Sequence, residues 1–195
     1  SGCVSLKSII IPESVSEIQG SAFERCPSLE SIVVVDGNPV YDSREGCNAI
    51  IETPKNTLLF GCKSTIIPES VIEIGGSAFY GCTSLESIVI PKGVKEIGGL
   101  SFKDCTSLKS VTIPESVKAI NAHAFQGCTS LESIVLPKGV DEIGHYTFSG
   151  CTSLKNVTIP ESVTYIGSEA FSGCVSLKSI IIPESVTEVE KYAFS

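Results

Sequence analysis

The chain has 195 residues, 42% of them hydrophobic and 18% charged, and 22 Asp and Glu against 14 Lys and Arg give a formal net charge of −8. That acidic balance argues against a nucleic-acid binder, which needs a basic footprint to neutralise phosphates, and against docking on an anionic membrane surface. Apolar residues are too numerous and too evenly spread for a disordered chain, and the longest aliphatic runs, such as Ile9-Ile10-Ile11, fall far short of the ~20 residues of a membrane span. With no Met and no signal peptide, the sequence reads as a mature or excised segment.

In chain order, the first elements are two coils of a repeat, held in register by Cys3 and Cys26 and by Leu6 and Leu29. An irregular coil follows, over residues 36 to 64. The spacing from Cys26 to Cys82 is 56 residues, or 23 plus 33, so ten extra residues are housed there. Asn38-Pro39 and Thr53-Pro54-Lys55-Asn56 are turn signals, and Ala49-Ile50-Ile51 and Leu58-Leu59-Phe60 flank the second turn, which predicts a small hairpin. From there the repeat is strict. Phe79, Phe102, Phe125, Phe148, Phe171 and Phe194 recur every 23 residues, as do Cys82, Cys105, Cys128, Cys151 and Cys174, and Pro68, Pro91, Pro114, Pro137, Pro160 and Pro183. The pattern is L-x-x-I-x-I-P-x-x-V-x-x-I-G-x-x-A-F-x-x-C, written out in full by residues 83 to 105.

Each unit mixes two spacings. Ile88 and Ile90 lie two apart on one face of a short strand, which Pro91 ends because it cannot donate to a ladder. Val94 and Ile97 form a short return, and Gly98-Gly99 permits a bend. Ala-Phe-x-x-Cys is too short for an α-helix and predicts one helical or 3₁₀ turn. A unit that runs strand, corner, return, corner cannot bury its own apolar side, so it must stack on neighbours as one coil of a solenoid.

This unit resembles the treponeme-type leucine-rich repeat of BspA-like bacterial surface proteins over nearly the whole chain. The resemblance implies a curved leucine-rich-repeat solenoid, one short parallel strand per 23-residue coil, across residues 1–195 as a single domain with its hairpin at about 36–64. It also implies a cell-surface or secreted protein that adheres to a host extracellular or bacterial surface protein. The family carries over no catalytic residues.

The remaining chemistry is best explained by stacking. Seven cysteines, Cys3 and Cys26 among them, hold one position per coil, which predicts an internal thiol file at about the ~4.8 Å strand spacing. Zinc wants paired ligands such as C-x₂-C, and no such pair occurs. Cys47 and Cys62 lie outside the file and could bridge in an oxidising compartment. His123 and His145 occupy variable corner columns with no Ser or Asp partner that would make a triad. The one break in the repeat offers Asp36, Asp42, Glu45 and Glu52 but no His, so an enzyme is not expected. No cofactor motif occurs either: Gly75-Gly76 fits neither G-x-G-x-x-G nor a P-loop. The recurring Thr-Ser steps, such as Thr83-Ser84, are expected to bond backbone at a corner. Asn156-Val157-Thr158 is a sequon on a predicted strand.

Two charge columns run along the stack. One reads Lys7, Glu30, Glu86, Lys109, Glu132, Lys155, Lys178, and the other, after the proline, Glu13, Glu69, Lys92, Glu115, Lys138, Glu161, Glu184. From Glu86 to Lys155 the sign alternates coil by coil and creates a longer 46-residue unit. Opposite charges one coil apart attract, and a slip of one coil would oppose like charges. On the strands, Leu85, Ile88 and Ile90 face inward, so the alternate residues face partners on the concave side. The outward columns include Ser87, Ser110, Ser133 and Asn156, and beside them Ile10, Val33, Val89, Thr112, Val135, Thr158 and Ile181. Five Ile or Val against two Thr is unusually apolar for a solvated face, and such surface marks an interaction site. The alternative is a structural spacer with no ligand of its own, which the mid-unit ends would suit.

Overall fold

The computed structural model describes residues 2–20 and 22–195. In chain order it contains β1 (Ser8–Ile11), β2 (Ser31–Val34), β3 (Tyr41–Asp42), a 3₁₀ turn at Arg44–Gly46, β4 (Ala49–Glu52), β5 (Thr57–Gly61), β6 (Glu73–Ile74), β7 (Ser87–Val89) and β8 (Glu96–Ile97). Then follow β9 (Ser110–Thr112), β10 (Ala119–Ile120), β11 (Ser133–Val135), β12 (Glu142–Ile143), β13 (Asn156–Thr158), β14 (Tyr165–Ile166) and β15 (Glu188–Val189). The chain is a β-solenoid. Register is the 23-residue repeat itself: Ser8 pairs with Ser31, Ser87 with Ser110 and Ser133 with Asn156, all parallel. The return is more regular than its sequence suggests. It forms a second two-residue strand, so that Ile74, Ile97 and Ile120 line up through β6, β8 and β10, and Ile143, Ile166 and Val189 through β12, β14 and β15.

The irregular coil is spliced into that second sheet. β4 and β5 pair antiparallel across the Thr53–Asn56 turn, β3 flanks β4, and β5 continues in parallel into β6. Phe60 of the hairpin meets Phe23 edge-on at 5.3 Å, so the regular file of phenylalanines begins only at Phe79. Gly61 makes room for it: a Cβ there would sit 2.2 Å from the Phe79 ring.

The core is a set of files. The rings of Phe79, Phe102, Phe125, Phe148, Phe171 and Phe194 stack near parallel with centroids 5.1–5.7 Å apart. The expected helical or 3₁₀ turn at Ala-Phe-x-x-Cys is absent, and the corner is a run of tight turns. Successive amides alternate: in the coil of Phe79, Tyr80 N bonds locally to Ser77 O, while Ser77 N, Phe79 N and Gly81 N donate to Gly99 O, Ser101 O and Lys103 O of the next coil. A helical turn would keep all its donors local and leave the coils unjoined. The cost is a left-handed residue in six successive coils, at Ser77, Leu100, His123, Tyr146, Glu169 and Tyr192, with φ of 54–62°.

The thiols line a second file with a job beyond filling space. Cys105, Cys128, Cys151 and Cys174 donate to the carbonyls of Phe79, Phe102, Phe125 and Phe148 in the preceding coil, at 3.1–3.2 Å. These bonds begin only at Cys105, but the corner that carries Cys26 still abuts the corner of Cys82, with Arg25 N donating to Tyr80 O at 3.0 Å and Ser84 Oγ to Pro27 O at 3.1 Å. Cys3 lies exposed on the first coil. All nine cysteines are free, Cys47 and Cys62 included. Under native reducing conditions a maleimide should therefore add once per chain, at Cys3, and nine times in urea, read by intact mass; native labelling at the file would contradict this packing.

The Thr and Ser steps bond backbone as expected: Thr129 Oγ1 donates to Thr106 O and Thr152 Oγ1 to Thr129 O, at 3.2 and 3.3 Å. No helix among the described residues is long and apolar enough to cross a membrane.

Candidate binding face

Strand alternation sets the candidate face. Leu85, Ile88 and Ile90 are buried, and Ser87 and Val89 between them point out. Coil by coil, this raises a ridge. Ile10, Val33, Val89, Val135 and Ile181 are all exposed, from 43% at Val33 to 85% at Ile181, and Thr112 and Thr158 are exposed between them. Ser87, Ser110, Ser133 and Asn156 form the exposed polar column alongside.

Sequence reading missed three members. Lys63, Ser64 and Ile66 stand 23 residues before Glu86, Ser87 and Val89. Ser64 Oγ donates to Glu30 O, which seats the coil, and Ile66 is 77% exposed. The signal was Ile66-Ile67-Pro68, which matches Val89-Ile90-Pro91; three residues are lost after Cys62, so counting forward from the cysteine hides it. With Ile66 included, the ridge reads Ile10, Val33, Ile66, Val89 without a polar interruption before Thr112.

Lys63 also completes the charge column, which alternates from Lys7 to Lys155. Three pairs close: Glu30–Lys63 at 2.7 Å, and Glu86–Lys109 and Glu132–Lys155 at 2.9 Å. In each, the hydrogen bond from the Lys ammonium, then its charge, holds the carboxyl below its usual range. Lys109 reaches back to Glu86 and not forward to Glu132, so the 46-residue unit is a physical pair of coils, with β7 bonded to β9 and β11 to β13. The second column closes no such pair among the described residues; Glu115 instead accepts from the Lys138 amide at 3.0 Å.

At the far edge of β2, the irregular coil opens a cavity of about 450 Å³ lined by Asp36, Asn38, Asp42, Arg44, Glu45 and Thr53 among others. Its half-buried charges, Asp42 and Arg44, are committed to each other. Arg44 grips Asp42 through two bonds of 2.5 and 2.7 Å and also reaches Asn56, while Thr53 donates to Asp42. Burial opposes the Asp42 charge, but these bonds outweigh it and lower its pKa. The two histidines differ in setting. His145 is exposed beside Glu190 at 3.3 Å, whereas His123 is half-buried and stacks on Tyr146 at 4.7 Å.

A parallel solenoid with this motif and an aromatic file, whose one helical segment among the described residues is the 3₁₀ turn at Arg44–Gly46, defines a leucine-rich-repeat protein. The family model for the BspA type leucine rich repeat region matches residues 1–43 and 72–195 in six copies, and the chain belongs to that family. No curated protein sequence matches it. Among solved structures it is similar to a leucine rich cell surface protein of Faecalibacterium prausnitzii, with 29% identity, a TM-score of 0.77, and coverage of 96% of this chain and 48% of that one. A leucine-rich repeat protein of Bacteroides ovatus is 35% identical with a TM-score of 0.69, covering 96% and 46%. The leucine-rich repeat protein of T. pallidum is 32% identical with a TM-score of 0.61, covering 91% and 68%. The chain spans about half the length of the first two.

Proposed function

We propose that this chain is a non-catalytic protein-binding segment of a bacterial cell-surface or secreted protein, and that it engages a protein partner through its strand face. The observation that carries the reading is the ridge of Ile10, Val33, Ile66, Val89, Val135 and Ile181, which stays in water although every coil has a buried core to receive apolar side chains. Soluble proteins seldom keep a contiguous apolar strip without a use for it. The neighbouring Glu–Lys pairs satisfy each other, so contact with the ridge strands no charge. The surface location is supported by the description of the Faecalibacterium relative as a cell surface protein.

The test replaces Val89 and Val135 by Asp, singly and together, and measures capture of host extracellular proteins. Both side chains are exposed, so the thermal melt should not move. Capture should fall by about tenfold or more, the equivalent of ~1.4 kcal/mol of binding. Undiminished capture by the double variant would reject the strand face, and no capture by the parent would favour a spacer.

A further inference from the structure

The strand-face ladder is open on both sides of residues 63–67 in the irregular coil, and it opens once more within the regular repeat. Main-chain bonds join β1 to β2, β7 to β9 and β11 to β13, and one long bond, Glu132 N to Lys109 O at 3.5 Å, links the last two pairs. Among the described residues, none joins β13 to residues 179–182, the equivalent place in the next coil. An open groove of about 330 Å³ lies there, lined by Asn156, Val157, Thr158, Ser179, Ile180 and Ile181 among others. The same two coils are tightly joined elsewhere, as by Phe171 N to Ala193 O at 2.7 Å, Thr187 N to Thr164 O at 2.9 Å and Ser185 Oγ to Val163 O at 2.7 Å. Only the strand side is open.

Both charge columns lose their alternation at this junction. Lys178 follows Lys155, and Glu184 follows Glu161. Lys155 is occupied by Glu132 at 2.9 Å. Lys178, Glu161 and Glu184 are exposed and have no ion pair among the described residues. One end of the groove therefore carries an unpaired cation and the other two unpaired anions, six residues or about 20 Å apart along an extended chain. Like charges facing each other across neighbouring strands repel, which fits the missing ladder.

We propose that this groove binds an extended peptide segment of a protein partner, running parallel to β13, with an acidic residue beside Lys178, a basic residue six positions later beside Glu161 and Glu184, and aliphatic side chains between them. The unpaired edge of β13 offers main-chain partners, as in recognition by strand addition. The direction follows from the face itself, where every pairing is parallel. The charge order is the one this chain uses to separate two Lys-first coils: residues 132–138, from Glu132 to Lys138, stand between the coils of Lys109 and Lys155. No such coil stands between those of Lys155 and Lys178. The proposal rests on the strand-face reading but names a site away from Val89.

The probe is a blocked, fluorescent heptapeptide with the sequence of residues 132–138, titrated with the whole chain and read by anisotropy. Saturable binding is expected. It should weaken at least tenfold for the Lys178→Glu/Glu184→Lys variant, in which both columns alternate, and for Lys178→Ala should that double variant fail to fold. A peptide with its two charges exchanged should bind at least tenfold more weakly, and Val89→Asp should leave binding unchanged. No binding by the parent, equal binding of the exchanged peptide, equal binding to the Lys178 variants, or loss in Val89→Asp would each overturn the groove. Failure here alongside Val89- and Val135-dependent capture would leave the ridge standing; the converse would leave only the groove.

Discussion

Replacing Phe125 by Ala should destabilise the chain by about 3–5 kcal/mol, a large part of the ~5–15 kcal/mol that holds a typical domain. The ring is fully buried and stacked on Phe102 at 5.2 Å and Phe148 at 5.7 Å, so its removal leaves a cavity with a wall missing on both sides. In a quasi-one-dimensional stack each coil is stabilised by its neighbours, so position along the file should decide the cost. Phe194 has a ring on one side only and is 42% exposed, and Phe194→Ala should cost well under half as much. Urea unfolding of the two variants checks this. Equal losses would mean that the aromatic file does not couple the coils.

The second large effect is alkaline unfolding. Burial, the first cause in each case, raises the thiols of Cys47 and Cys174 to about 11 and Cys82 to about 12, and lifts Cys105, Cys128 and Cys151 well above the ordinary value of 9.0. A thiol is neutral when protonated, and its folded pKa here lies above its unfolded one. The unfolded chain therefore loses protons first as pH rises. Stability is fully present below about pH 9 and falls as pH climbs towards the folded values, by up to ~1.4 kcal/mol per pH unit for each buried thiol. Six thiols acting together would exhaust a typical folding free energy within about one to two units. Urea titrations under reducing conditions should give constant stability between pH 7 and 8.5 and a steep fall above 9, with loss of fold near pH 10–11. A flat profile to pH 11 would contradict the buried thiol file.

Much of this architecture was legible in the sequence because a stacked coil sees the same neighbours at every level. A residue needed for packing must then be copied at a fixed interval, and Phe79 to Phe194 and Cys82 to Cys174 are such copies. The hairpin was legible from its turn residues for a local reason, since chain direction reverses wherever Thr53-Pro54-Lys55-Asn56 allows it. Reading was weakest at the corner. Ala-Phe-x-x-Cys looks like a helical turn to any rule that counts only local donors, but Phe79 N and Gly81 N are spent on the next coil. It was also weak where the interval slips, which hid Lys63 and Ile66 behind the three residues missing after Cys62.

The sequence by itself determined the coil length, the inward and outward faces, the parallel register and every residue of the ridge but Ile66, because periodic burial leaves a periodic record. Only the tertiary structure decided that charges close in Glu–Lys pairs and not along a continuous chain, that the thiols bond to the carbonyls beneath them, and that the strand side parts between β13 and the C-terminal coil. Those outcomes depend on which of two equally spaced neighbours a side chain or an amide reaches, and a repeat that makes the neighbours alike does not record that choice.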